Sequence, residues 1–285
     1  MDSIKSAKRG GFIYTATLLL FLAVSLIGKT ILEIAAIKGT AYYAVSSLFS
    51  VAVFVVAVFF SGGKSIKPLF LNKFSYKHII GSVCLAAGMF LGLGFVNLLV
   101  SAGLQSIGGK TSGTNVPLDS VWQFLLFSVL LGVFPAVFEE TFFRGVLLSN
   151  VSDCGKTHGI FTVALCFALY HLSVSQFCYQ FIYGVGLAVL TLKAKSVIPA
   201  IVAHFLNNFI ILSLEFFNIT LDLFDPIMIG IGVCLLAVFT VLMVFSGDNN
   251  GGAHTESGIK SFYLSFGALG IALAAIITVL SALPL

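Results

Sequence analysis

The chain has 285 residues, a mean hydropathy of +1.09, 59% hydrophobic residues and only 9% charged residues. A soluble domain carries about 25% charged residues, so this composition excludes an ordinary water-soluble globule and points to lipid as the solvent. The net charge is +4, and the basic residues fall between apolar runs, a pattern of membrane topology and not of nucleic-acid binding.

At the N-terminus Lys5, Lys8 and Arg9 precede the apolar run Phe12–Ile27. The layout resembles a signal peptide, but the run exceeds the usual apolar length of about 7–15 residues and no Ala-x-Ala site follows, so it reads as a retained first helix. Runs near the roughly 20 residues needed to span a bilayer lie at 11–28, 41–60, 78–102, 121–150, 197–217, 226–246 and 261–283. Two shorter runs, 159–172 and 175–192, read as helices buried in the bundle or as one broken unit. The expected fold is all-α, a polytopic membrane bundle of eight or nine transmembrane helices.

Nine helices with a cytoplasmic N-terminus put Lys5, Lys8, Arg9, Lys64, Lys67, Lys73, Lys77, Lys156, Lys193, Lys195 and Lys260 inside, and only Lys29, Lys38 and Lys110 outside. That alternation follows the positive-inside rule. The expected organisation is a three-helix region over 1–120, a core over 121–217 and a C-terminal helix pair over 218–285. Gly247–Gly258, rich in Gly, Asn and Asp, reads as a loop. Gly88 and Gly92, and Gly184 and Ala188, have the spacing of small residues that let helix backbones approach. The five cysteines (Cys84, Cys154, Cys166, Cys178, Cys234) lack CxxC spacing, and most read as small apolar fillers.

The polar exceptions fall in one third of the chain. Glu139, Glu140 and Arg144 interrupt an apolar run, and each ionisable side chain at that depth costs about 2.5–3.5 kcal/mol on insertion scales. Glu140 and Arg144, four apart, share a helix face and neutralise each other. Glu139 lies about 100° away and needs a partner from another helix. His171 and His204 are the other deep polar positions; Asn208 shares the face of His204 and Asn207 lies nearly on it. Counting about 1.5 Å per residue puts Glu139 about 16 Å, His171 about 20 Å and His204 about 12 Å from the inner ends of their helices. One cluster of Glu139, His171, His204 and Asn208, opening toward the cytoplasm, is expected. A carboxylate beside a His can polarise water as a general base, and a second His with an Asn amide can donate to a developing oxyanion. Ser173 and Cys166 lack a base at a workable position.

At these residues the chain resembles the CAAX prenyl protease and bacteriocin-processing (CPBP, abortive-infection) family of intramembrane glutamic endopeptidases. The motifs EExxxR, FxxxH and HxxxN stand as Glu139-Glu140-Thr-Phe-Phe-Arg144, Phe167-Ala-Leu-Tyr-His171 and His204-Phe-Leu-Asn-Asn208, in order and on separate helices. The resemblance spans about residues 125–215. It implies that Glu139 activates water with His171, that His204 and Asn208 form the oxyanion hole, and that Glu140, Arg144, Phe167 and Asn207 support them. It also implies no metal and no cofactor.

The expected function is an intramembrane endopeptidase acting on a peptide or small membrane-associated protein, with lipid and no nucleic acid as its surroundings. Family roles include prenyl-protein processing and bacteriocin processing or immunity. Short loops and the lack of sorting signals suit a bacterial plasma membrane. The alternatives are an inactive membrane scaffold or chaperone, and an ion-coupled transporter using the buried carboxylates; no inverted repeat supports the latter.

Overall fold

The computed structural model describes residues 2–61, 72–111, 116–152, 155–246 and 260–283. Among them the chain forms nine helices and no strand: α1 Asp2–Ile34, α2 Gly39–Ser61, α3 Tyr76–Ser106, α4 Val121–Val151, α5 Lys156–Tyr170, α6 Val174–Ala194, α7 Ile198–Phe216, α8 Pro226–Val244 and α9 Lys260–Ala282. Eight are long and apolar enough to cross a membrane. The protein is an all-α, multi-pass integral membrane bundle. The ninth helix, α5, has 15 residues, about 22 Å of helix against a hydrocarbon core of about 30 Å. Leu172 takes a left-handed φ of 49°, and Ser173 caps α6 by accepting from Gln176 N.

The surface is apolar, as lipid requires. Phe59, Phe60, Val241, Leu264 and Ile276 point outward, while the two residues of the Glu140–Arg144 pair are wholly buried. Trp122 and Tyr76, exposed at the first turns of α4 and α3, suit the two interfacial aromatic belts.

Cross-helix bonds show which helix ends lie together. Ser6 Oγ donates to Asn150 Oδ1 at 3.2 Å, and Asn72 Nδ2 donates to Lys195 O at 2.9 Å. The Arg9 guanidinium donates to Ser61 O, a terminal carbonyl of α2. These contacts collect Lys5, Lys8, Arg9, Lys73, Lys77, Lys156, Lys193, Lys195 and Lys260 at one end of the bundle. The other end is joined by Gln123 Nε2 to Thr40 Oγ1 (2.9 Å), Lys110 N to Ala282 O (3.0 Å) and Ser281 Oγ to Leu172 O (3.1 Å). It carries Asp119, Glu215, Asp222 and Asp225 with Lys38 and Lys110. Lys64, Lys67, Cys154 and the Gly247–Gly258 segment lie outside the described residues.

Two expectations change. α1 begins at Asp2, so the basic cluster sits within the helix and not ahead of it. Cys84 and Cys166 are buried fillers, but Cys178 and Cys234 face outward.

The small residues do what their spacing implies. A Cβ on Gly232 of α8 would lie 2.1 Å from Gly92 N, and one on Gly88 would lie 3.1 Å from Gly232 O. A Cβ on Gly184 would lie 3.1 Å from Ala164 Cα, so α5 and α6 also touch backbone to backbone. Gly232→Leu is expected to destabilise the bundle by about 1–3 kcal/mol through overpacking. Gly230→Leu, where the added Cβ meets open space, leaves thermal unfolding in detergent unchanged.

Candidate active site

The site begins with the backbone of α4. Ser128–Val133 and Thr141–Leu147 are π-helical, with Phe134 N bonded to Val129 O and Leu148 N to Phe143 O. The α-helical turn Phe134–Glu140 between them carries Pro135 and both glutamates. A sequence reading of α4 as one uniform helix misses these turns. Pro135 is the signal: it has no N–H, so Leu131 O has no donor at the usual position. Asn208 Nδ2 takes that carbonyl at 3.0 Å, from α7.

Glu140 and Arg144 meet as their spacing predicts. Arg144 Nη1 donates to Glu140 Oε1 at 2.8 Å, with both side chains at 0% exposure. Arg144 Nη2 also donates to Gly184 O at 3.2 Å, and its guanidinium lies 4.3 Å from the Phe167 ring centre. His204 Nδ1 lies 2.8 Å from the same Glu140 oxygen. A carboxylate accepts, so Nδ1 is the protonated nitrogen and Nε2 is left for other work. Phe167 stands among these groups, its centroid 4.8 Å from that of His171 and 5.9 Å from that of His204.

Glu139 is the charge without a local partner, as expected: its Oε2 is buried and bonds no protein group. His171, one residue beyond the end of α5, has Nδ1 2.9 Å from Phe167 O. A carbonyl only accepts, so Nδ1 donates and the neutral ring keeps a lone pair on Nε2. Asn208 is oriented by a chain of bonds. Tyr179 Oη donates to Asn207 Oδ1 at 2.6 Å, Asn207 Nδ2 donates to Asn208 Oδ1 at 3.3 Å, and Asn208 Nδ2 reaches Leu131 O. The accepting carbonyl at the far end sets the direction of the whole relay. Asn208 keeps one N–H for another acceptor.

Glu139, His171, His204, Asn207 and Asn208 all line one cavity of about 500 Å³. A second cavity of about 260 Å³, between α2 and α4, is lined by Ser46, Ser47, Ser50, Phe54 and Phe138 among others. The two share Leu131, Pro135 and Glu139. Tyr179 and Tyr183 line the larger cavity and were not singled out from sequence as site residues; both are aromatics in apolar runs, with nothing to mark them. Tyr183 Oη is buried without a partner. Ser173 is a helix cap bonded to Ser175 Oγ, and Cys166 is buried. Among the described residues no group of three His, Cys, Asp or Glu side chains is arranged to hold a metal ion.

The larger cavity draws its lining from four helices and the segment after α7. From Glu139 and His204 its walls run along α3 (Phe90, Asn97, Ser101), the N-terminal half of α6 (Gln176, Gln180), the later turns of α7 (Ile211, Leu212) and Leu223 beyond it. These lie toward the lysine-poor end. Depths counted from sequence place the cluster near mid-membrane but say nothing about which way its walls diverge.

Fold and site together define an integral membrane bundle with a polar centre built from α4, α5, α6 and α7. Residues 121–210, which hold every one of the seven motif residues, match the family model described as type II CAAX prenyl endopeptidase Rce1-like. That is a peptidase family, and the match agrees with the CPBP resemblance of the three motifs. No curated protein and no solved structure matches the chain.

Removing one partner of a buried ion pair strands the other charge, at a cost of about 3–5 kcal/mol. Arg144→Met is expected to lower the thermal midpoint in detergent sharply. Adding Glu140→Gln to Arg144→Met should recover part of that loss, which a double-mutant comparison reads directly.

Proposed function

We propose that this protein is an intramembrane endopeptidase, in a bacterial plasma membrane, that hydrolyses a peptide bond with water activated by Glu139 and His171. The observation that carries the reading is the unpartnered Glu139 oxygen in the same cavity as His171, whose Nδ1 bond to Phe167 O leaves Nε2 as an acceptor. Two acceptors on one cavity wall suit a water held between them.

In the proposed reaction the water oxygen bonds the scissile carbonyl carbon while its proton passes to Glu139. The carbonyl π pair becomes an oxyanion. Asn208 donates its spare N–H to that oxygen, and His204 donates from Nε2 when it carries both ring protons. That state balances the site: two glutamates against Arg144 and an imidazolium sum to zero, which a low dielectric favours. On collapse the C–N bond breaks and the leaving amine takes the proton from Glu139. The products are a carboxylic acid and an amine, and the enzyme is restored. Glu140, Arg144 and Phe167 hold His204 in place, and Asn207 orients Asn208. The chemistry uses no metal and no cofactor. The substrate is a peptide or a small membrane-associated protein.

Glu139→Gln keeps the side-chain shape and removes the base. Cleavage by the purified full chain is expected to fall by at least about 100-fold, with the thermal midpoint in detergent retained. A variant that folds and cleaves at the wild-type rate would overturn the reading. Replacing Asn208 by Ala removes both the oxyanion donor and the cap on Leu131 O. It is expected to lower kcat by about 10²–10³ and to lower stability by about 1–3 kcal/mol for the stranded carbonyl.

A further inference from the structure

We infer that Tyr183 is a further catalytic residue: its phenol donates, beside Asn208, to the oxyanion that forms when water attacks the scissile carbonyl. The inference rests on the peptidase reading and adds to it a donor that none of the three motifs contains.

The first observation is on one face of α6. Tyr179 and Tyr183 stand four apart, so their side chains share a face. Both line the larger cavity together with Glu139, His171, His204 and Asn208. Tyr179 is committed, because its Oη donates to Asn207 Oδ1 at 2.6 Å. Tyr183 is not: its Oη is buried and bonds no protein group. A buried hydroxyl without a partner costs free energy. A Phe would fill the same space without that cost, so the hydroxyl calls for a partner that arrives with the substrate.

The second observation is how firmly this phenol is held. Tyr183 is 1% exposed and packs with Tyr179, Leu187, Leu190 and Ala203. Its ring stands edge-to-face against His204, with 6.4 Å between ring centres. The next residue is Gly184, whose carbonyl accepts from Arg144 Nη2, and where a Cβ would lie 3.1 Å from Ala164 Cα. The brace that holds His204 therefore also pins the backbone beside Tyr183. A donor to a developing charge works best when it is in place before the charge appears, and here both ring and backbone are held.

The third observation is the supply of donors. Asn208 brings one uncommitted N–H. His204 Nδ1 already faces Glu140, so Nε2 donates only when the ring carries both protons. A phenol donates while neutral, so Tyr183 supplies a donor in either state of His204. In the step itself the water oxygen bonds the carbonyl carbon, the water proton passes to Glu139, and the carbonyl π pair becomes the oxyanion that accepts from Tyr183 Oη. The phenol keeps its proton throughout. Its bond is released when the carbonyl re-forms and the amine leaves.

Tyr170 provides a matched control, since its Oη is also buried without a partner but the residue lines neither of the two cavities. The test compares Tyr183→Phe with Tyr170→Phe in the purified full chain, with a pool of quenched-fluorescent peptides for turnover and thermal unfolding in detergent for the fold. Both variants are expected to keep or raise the thermal midpoint, because each removes a hydroxyl that the fold leaves unsatisfied. Tyr183→Phe is expected to lower kcat by about 100-fold with KM nearly unchanged, and Tyr170→Phe to alter neither. An uncharged peptidyl trifluoromethyl ketone, whose hydrate mimics the tetrahedral intermediate, should bind Tyr183→Phe about 100-fold more weakly than the wild type. Wild-type kcat in Tyr183→Phe, a loss confined to KM, a lowered midpoint, or an equal loss in Tyr170→Phe overturns the inference. Glu139→Gln, assayed alongside, separates the two readings. Cleavage that persists in it overturns the peptidase mechanism, whereas its inactivity beside a fully active Tyr183→Phe overturns only the role of Tyr183. If the wild type cuts nothing in the pool, the ketone decides: equal binding, or none, to wild type and Tyr183→Phe overturns the inference.

Discussion

The bundle is organised round the bond from Arg144 to Glu140. Each charge alone would be intolerable at this depth. Together they are still costly, because desolvation can exceed the Coulomb gain. Neighbours take part of what remains, Gly184 O from α6, the Phe167 ring from α5 and His204 from α7, while Glu140 Oε2 and Arg144 Nε stay buried without a partner. Three helices are tied to α4 through one guanidinium and its carboxylate. Gly184 also sits where α6 meets α5 closely, a Cβ there lying 3.1 Å from Ala164 Cα. Helix packing and the electrostatics of the centre are one arrangement.

What that arrangement leaves over is Glu139. It stands one position along the helix, about 100° round, where the brace cannot reach it. The backbone reinforces the separation. Pro135 removes one donor from α4, π turns flank the glutamates, and Asn208 crosses from α7 to occupy Leu131 O. A defect in one helix thus becomes an anchor for the side chain of another. The Tyr179–Asn207–Asn208 relay then leaves a single Asn208 N–H uncommitted. Polar groups in lipid-embedded protein are expensive unless satisfied; among the buried groups without a partner, Asn97 Oδ1, Glu139 Oε2 and Tyr183 Oη belong to residues that line the larger cavity.

The short α5 brings His171 to that cavity. The helix ends at Tyr170, so His171 lies just beyond it, and the chain turns back at Leu172 into α6, whose residues line the same cavity.

Much of this was legible in the residues. Eight spanning helices, the Glu140–Arg144 pair and the isolation of Glu139 all follow from hydropathy, charge and helical periodicity, because these are local properties of a chain in lipid. The grouping of Glu139 with His171, His204 and Asn208 at one cavity could be inferred from depth alone, since few other polar side chains lie so deep. The rest depended on contacts between distant segments. Nothing local says that Asn208 meets the carbonyl freed by Pro135, that Tyr179 steers Asn207, or that Phe167 lies against Arg144. Nor does periodicity disclose which way a cavity widens, because depth along each helix is a one-dimensional quantity. Its walls diverge in three dimensions, and only the packed bundle sets their direction.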